Sequence, residues 1–353
     1  MNVVDYKGAG VNIETANTVK GQFGSFVSAD SFAHCKPINR VGAFASLLEI
    51  DLSKYDRPVF VLKSEEPGSK QLLSISNDRI EWIARDLINH LINDIIVMGA
   101  TPCAVLDTII CGKLEKDIVL KLVSEISQAC NENGCVLVGG ETSEQPGMLQ
   151  SGRYVLQASV LGIVDKFRII DGSAITCGDS IIALASNGLH TNGYSLVRKL
   201  MEEKPSIEAE IVFGDSFINS ILKPHVSYAE AIKSILMQAD NGVHGMAHIT
   251  GGGIHDNLLR ILQRDDLQAN IDLSLIKILP IFTLLKHYAG CSDEEMLKTF
   301  NNGVGLIIVA DNEKTDSIIS TAQDCGIDSY VIGNISASTT DKKVVFNNKM
   351  TWR

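Results

Sequence analysis

None of the eight cysteines in this 353-residue chain stands in a C-x-x-C pair. Thiols scattered this way read as reduced, small apolar core residues rather than a disulfide frame or a zinc site. The chain also lacks any uninterrupted apolar run of membrane-spanning length. Its opening MNVVDYKGAG has no cationic leader ahead of an apolar core, so the expected location is the cytoplasm. Positive charge is scarce, with 31 Lys and Arg against 42 Asp and Glu and a net charge of -11. No large cationic field is available to steer phosphate polymers, which argues against nucleic acid and anionic membranes as partners. A phosphorylated small molecule stays open, because glycine loops and a few local cations suffice to bind one. His225, His244, His248, His255 and His287 show no mutual metal-ligand spacing and read as surface or satisfied core histidines.

With 45% hydrophobic and 21% charged residues, the chain has material for two cores, since single cores rarely grow past about 300 residues. The first forty residues, rich in Gly, Ser and Asn, read as a mobile arm whose nearest cations are Lys7, Lys20 and Lys36. Pro58 to Lys63 follows as a strand by its apolar density. From Arg79 to Met98, Ile80, Ile83, Ala84, Leu87, Leu91, Ile95 and Met98 keep the helical period. Asp86, His90 and Asp94 step along another face of that helix, which reads as solvated. A strand at Val105 to Ile110, a helix from Lys116 to Asn133 closed by Gly134, and a strand from Tyr154 to Val164 complete an α/β domain spanning 1–168. Lys166 to Gly178 is the expected linker. The second domain, 169–345, opens with a strand at Ser180 to Ala185, a polar loop and a helix from Tyr194 to Glu203. Thr250-Gly251-Gly252-Gly253 precedes a helix of Asp256 to Leu262 in the same manner. Strand, small loop and helix N-terminus form a plausible anion site, because free N–H groups point at the loop. The plainer alternative is a tight strand-to-helix turn.

The chain is organised around Val136 to Met148, VLVGGETSEQPGM. An apolar run ends in two glycines and a carboxylate and turns at Pro146-Gly147, which predicts a buried strand delivering Glu141 at its tip. Glycine lets backbone approach a ligand and a carboxylate oxygen binds a hard cation, so the segment suits phosphate with metal. A tight turn with a solvated glutamate is the competing reading.

GGETSEQPGM closely resembles the GGETAEMPGM segment of the phosphoribosylformylglycinamidine cyclo-ligase (aminoimidazole ribonucleotide synthetase) family. Tyr6 to Val11, Asn93-Asp94-Ile95, His190 to Lys199 and Ala247 to Leu258 occur in that family's order, and Phe300 to Val309 resembles its FNNGVGM segment, read here as structural. The resemblance implies a two-domain α/β fold of α+β type, with an N-terminal domain that binds nucleotide and dimerises. Ser64 to Lys70 corresponds to a loop similar to TDGVGTK, whose Asp ligates the magnesium of ATP. Glu65 takes the Asp position, while Gly68, Ser69 and Lys70 keep the pattern of glycine, hydroxyl and lysine. Glu66 and Pro67 replace Gly-Val, so one amide donor is lost and one negative charge gained where phosphate should sit. Gly42 to Ile50 corresponds to a stretch similar to GGFGGLFEL but has lost three glycines.

The resemblance further implies ATP-dependent closure of formylglycinamidine ribonucleotide to aminoimidazole ribonucleotide in purine synthesis. The γ-phosphoryl group activates an amide oxygen, and an internal amine attacks the same carbon and expels phosphate. On this reading Glu65, Asp94 and Glu141 hold Mg²⁺ and Lys70, with Gly68, meets phosphate. His190 and Asn192 orient the substrate or move a proton, and Gly251, Gly252 and Gly253 hold its 5′-phosphate. The family implies a homodimer. His90 has no counterpart in these motifs. Selenophosphate synthetase, thiamine-phosphate kinase and the hydrogenase-maturation dehydratase share the expected fold, but HTNGYSLVRK beside GGETSEQPGM is nearer the cyclo-ligase. A non-catalytic or re-purposed paralogue with an altered nucleotide loop is the alternative.

Overall fold

Eight residues, Pro58–Glu65, form a strand (β3) in which exposed and half-buried positions alternate, as a sheet with one covered face requires. In the computed structural model the described residues are 35–39 and 42–352, with positions 14, 17, 18, 21 and 22. Lys7, Lys20 and the segment from Tyr6 to Val11 lie outside them.

The chain divides into two units: Met1–Ile95 with Ala100–Phe167, and Ile96–Gly99 with Arg168–Arg353. In the first, short strands β1 (Cys35–Pro37) and β2 (Leu48–Ile50) pair antiparallel. Helices α1 (Lys70–Ser76) and α2 (Ile80–Ile96) follow β3, then β4 (Thr101–Cys111), α3 (Lys116–Glu132), β5 (Val136–Glu144) and β6 (Tyr154–Asp165). The sheet order is β3-β6-β4-β5. Only β4 and β5 run parallel within it, joined by α3 as a parallel pair requires. One face is covered by helix: Ile83, Leu87, Leu91 and Ile95 of α2 are buried, and Gly162 of β6 leaves room for the Ile95 side chain. Cys35 and Leu48 pack with Cys103, Val136, Val138 and Ile163 in a small core.

The solvated face expected on α2 is not solvated. Asp86, His90 and Asn93 are buried with the apolar residues. A buried helix can keep polar residues only where they find partners, and Asp86 has Lys70.

The second unit is built on a six-stranded sheet, order β10-β12-β7-β13-β11-β14. These are β7 (Ser180–Ala185), β10 (Val243–His248), β11 (Leu267–Asp272), β12 (Val304–Ala310), β13 (Ser329–Ala337) and β14 (Val344–Asn347), with β8 (Ile211–Val212) and β9 (Asp215–Ser216) a separate antiparallel pair. All pairings except β11 with β14 are antiparallel. Every residue of β12 is buried, as befits a strand between two others. Helix α4 (Tyr194–Glu203) follows β7 through the 186–193 loop, and, further along the chain, α5 (Gly253–Leu259) starts three residues before the expected Asp256. All eight cysteines are free; five are buried, whereas Cys177 is exposed and Cys291 and Cys325 are half-buried, so these three are not core residues. No helix among the described residues is long and apolar enough to cross a membrane.

Candidate active site

The strand register decides which acids can meet. Glu65 pairs with Ala158, Ala158 with Asp107, and Asp107 with Gly140, so these four form one row across the sheet and share its helix-covered face. Glu141 is one residue beyond that row, opposite Thr108, and stands on the other face. The backbones of Glu65 and Glu141 are three strand spacings apart, roughly 14 Å. A single ion held by Glu65, Asp94 and Glu141 together is therefore not what this chain builds.

Glu65 and Asp94 do converge. The Lys63 ammonium lies 3.0 Å from Glu65 Oε2 and 2.9 Å from Asp94 Oδ2. His90 Nε2 stands 3.9 Å from Glu65 Oε2. Lys63 and Glu65 share a face because they are two residues apart on a strand, and α2 brings Asp94 down onto it. Burial works against the lysine charge, yet its hydrogen bonds to Asp94 and Glu65 outweigh that and hold its pKa above the ordinary value. Two carboxylate oxygens already gathered around one cation are the hard donor set that Mg²⁺ takes. In this respect Glu65 and Asp94 fit the metal and Glu141 does not fit with them.

Lys70 does not present its charge to a ligand. Its side chain is fully buried, with Nζ 2.7 Å from Asp86 Oδ1. Burial pushes its pKa down against the pull of Asp86. Gly68 takes a left-handed φ of 59° and its carbonyl accepts from Gln71 Nε2 at 2.9 Å, so it shapes the entry to α1.

On the open face, a cavity of about 810 Å³ is lined by Ala43, Phe44, Ser46, Gly139, Gly140 and Glu141, among others. Ser46 Oγ donates to the Val138 carbonyl at 2.7 Å and ties the segment to β5. Both glycines owe their small size to close approach. A Cβ on Gly139 would stand 2.7 Å from Ser46 Oγ, and one on Gly140 would stand 1.9 Å from Asp107 Oδ1. Asp107, a carboxylate inside an apolar strand, is nearly buried, and burial pushes its pKa up to about 7.

In the second unit His190 adopts a left-handed φ of 59° and its side chain is fully buried. It stacks on His225 at 3.9 Å between ring centroids, and His225 Nε2 is 2.9 Å from His248 Nε2. Gly305 has no side chain because a Cβ there would meet Tyr228 Oη and His190 Cε1. The His190 side chain, expected from the sequence to meet substrate or move a proton, is buried against His225 and Tyr228 in this packing. Asn192 is more open, and its Oδ1 lies 3.5 Å from where a Gly251 Cβ would be, so the two loops meet. Asn257 Nδ2 donates to the carbonyls of Gly251 at 3.3 Å and Gly253 at 2.8 Å. Gly253 passes the Leu297 carbonyl too closely for any side chain. The Asp256 carboxylate stands beside Gly252, a negative charge close to the place expected for phosphate.

Sequence reasoning missed Lys63, Asp107 and the grouping of His190, His225 and His248. Lys63 and Asp107 did carry a signal, being charged residues inside apolar strands. The histidines come from three separate elements and had no signal in their spacing.

The AIR synthase related protein N-terminal domain model matches residues 59–164, and the corresponding C-terminal domain model matches residues 176–345. Fold and matches together define the class, two-domain proteins of the AIR synthase type. The chain is 36% identical over 343 residues to a phosphoribosylformylglycinamidine cyclo-ligase of Lawsonia intracellularis, covering 96% of this chain and 97% of that protein. A cyclo-ligase of Geobacter sulfurreducens is 36% identical over 334 residues, 94% of each chain. The chain belongs to the phosphoribosylformylglycinamidine cyclo-ligase family. Among solved structures, the hydrogenase maturation protein HypE of E. coli shares the fold, with a TM-score of 0.67 and 16% identity over 94% of this chain and 93% of that one. HypE has also been solved in complex with ATP, with a TM-score of 0.62 and 15% identity over 86% of this chain and 84% of that one.

Proposed function

We propose that this protein is a cytoplasmic cyclo-ligase that closes formylglycinamidine ribonucleotide to aminoimidazole ribonucleotide with ATP, releasing ADP and phosphate. The observation that carries this reading is 36% identity along nearly the full length of cyclo-ligases from Lawsonia intracellularis and Geobacter sulfurreducens. The ATP-bound relative of the same fold supports nucleotide use.

Glu65 and Asp94 would hold magnesium, which would supply charge neutralisation for the phosphates. Glu141, beside Gly139 and Gly140 in the open-face cavity, serves a separate position on the nucleotide. Asn192 and Gly251 contact the ribonucleotide, with Gly252 and Gly253 shaping the loop, and His190 holds Asn192 in place. Lys70 acts through Asp86 by fixing α1 against α2. Holding amine and activated carbon together removes the entropy of bringing them into contact, which is most of what such a site must do. Phe60, Leu62 and Leu106 are exposed on the open sheet face. Three large apolar residues there favour a homodimer formed through this sheet.

A re-purposed relative is the second reading, favoured by the Glu66-Pro67 loop and by Lys63 between the acids. The test is ADP release by the purified protein. Release only when formylglycinamidine ribonucleotide is present supports the cyclo-ligase. Nucleotide binding with no substrate-dependent release supports the re-purposed relative.

A further inference from the structure

We infer that Lys63 is a built-in counter-ion which keeps the Glu65–Asp94 position closed and so sets the concentration of divalent cation at which the site loads. The inference rests on the reading that these two carboxylates hold the metal. Its observation is the ammonium itself, 3.0 Å from Glu65 Oε2 and 2.9 Å from Asp94 Oδ2, in the place where a cation bound to both oxygens would sit.

The ammonium and a divalent ion compete for the same two oxygens. Both are cations, and the charge of one opposes entry of the other at this separation. The divalent ion therefore loads only when the lysine withdraws. Withdrawal is open to it: the Lys63 side chain is 37% exposed and its four-carbon stem can carry the ammonium into water. The two carboxylates are fixed more firmly, one at the end of β3 and one on buried α2, so the oxygens stay in place when the lysine leaves. In the empty site Lys63 removes the repulsion between two acids. Lys63 is one residue before the Ser64–Lys70 loop, so an ammonium released from the two acids would be available to offset the charge that Glu66 adds.

Direct binding of Mn²⁺, followed by its paramagnetic signal with and without ATP, tests this without reference to turnover. Lys63→Met should bind Mn²⁺ at least about tenfold more tightly than the unaltered protein, and Lys63→Gln should do the same. Lys63→Arg, which keeps a cation in place, should stay within about twofold of the unaltered protein. Each variant's thermal unfolding is measured beside it, and added Mg²⁺ should raise Tm more in Lys63→Met than in the unaltered protein. Asp94→Asn identifies the site, because it should abolish the Mn²⁺ signal that Lys63→Met strengthens. If Asp94→Asn abolishes the signal but Lys63→Met and Lys63→Gln leave the affinity unchanged or weaker, the counter-ion role is wrong and the metal assignment stands. Weaker ATP binding in Lys63→Met at unchanged Mn²⁺ affinity would make Lys63 a phosphate ligand and likewise overturn the inference. No Mn²⁺ signal dependent on Asp94 in any variant would remove the metal assignment and the inference with it.

Discussion

The two faces of the four-stranded sheet in the first unit treat their acids differently. On the helix-covered face Glu65 and Asp94 are gathered on one lysine. On the open face Glu141 makes no ion pair among the described residues and borders a cavity whose wall is two glycines and a tied-down serine. The difference follows from parity. Residues one apart on a strand point to opposite faces, so a motif ending in Gly140-Glu141 delivers its carboxylate away from the row that holds Glu65. One carboxylate set is thereby prepared for a cation, and the other is left for a ligand that enters from the open side.

The largest effect should come from breaking the covered-face pair. Asp94→Asn keeps shape and removes charge, and should lower magnesium-dependent turnover about a thousandfold, with much smaller change in thermal stability. Turnover measured across a Mg²⁺ series checks this, and an unchanged rate would show the pair to be structural.

Asp107 sharpens the comparison because it lies in the row of Glu65 yet has no lysine partner among the described residues. Its pKa is raised by burial to about 7 in the folded protein, above its value near 3.9 in an unfolded chain. The stability it allows is fully present below about pH 4 and is lost as pH rises toward 7. Asp107→Asn should therefore be up to about 4 kcal/mol more stable than the unaltered protein at pH 8, with the difference vanishing near pH 4. Denaturant unfolding at the two pH values gives the answer, and a gain of the same size at both would contradict the titration.

Gly140→Ala places a methyl group against the Asp107 carboxylate and should cost about 1–3 kcal/mol. Unchanged stability would mean the strand shifts freely. The smallest expected effect is that of changing Glu65, Glu66 and Pro67 to Asp, Gly and Val. This restores an amide and removes one charge, so Mg²⁺-ATP should bind severalfold more tightly by calorimetry. Brisk turnover in the native protein that the triple change slows would instead make the loop an adapted part of a working site.

Much of the framework was legible. The helix from Tyr194 to Glu203 has the expected bounds. The strand expected to end at Glu141 is β5, but it runs on to Glu144, pairing with β4 throughout, and only Val136 to Val138 are buried, so Glu141 lies within the strand and not at its tip. Apolar period and glycine stops carry this information within a dozen residues. What could not be read was which acids meet, because that depends on strand register and on the helix laid over the sheet. Glu65, Asp94 and Glu141 sit in three separate motifs, and no motif records its face. Lys70 keeps its place in the family pattern, but the Asp86 that buries it lies sixteen residues on. His190 is similar: its motif is intact, and the ring that covers it belongs to His225.

The central structural claim, that the acids of the two faces serve separate positions, is tested most directly by a double-mutant cycle on Asp94 and Glu141. Mg²⁺-ATP affinity is measured for Asp94→Asn, Glu141→Gln and the pair. Separate positions predict that the two losses add in free energy to within about 0.5 kcal/mol. A double variant no weaker than the poorer single one would mean that both acids hold one ion, and would contradict the account.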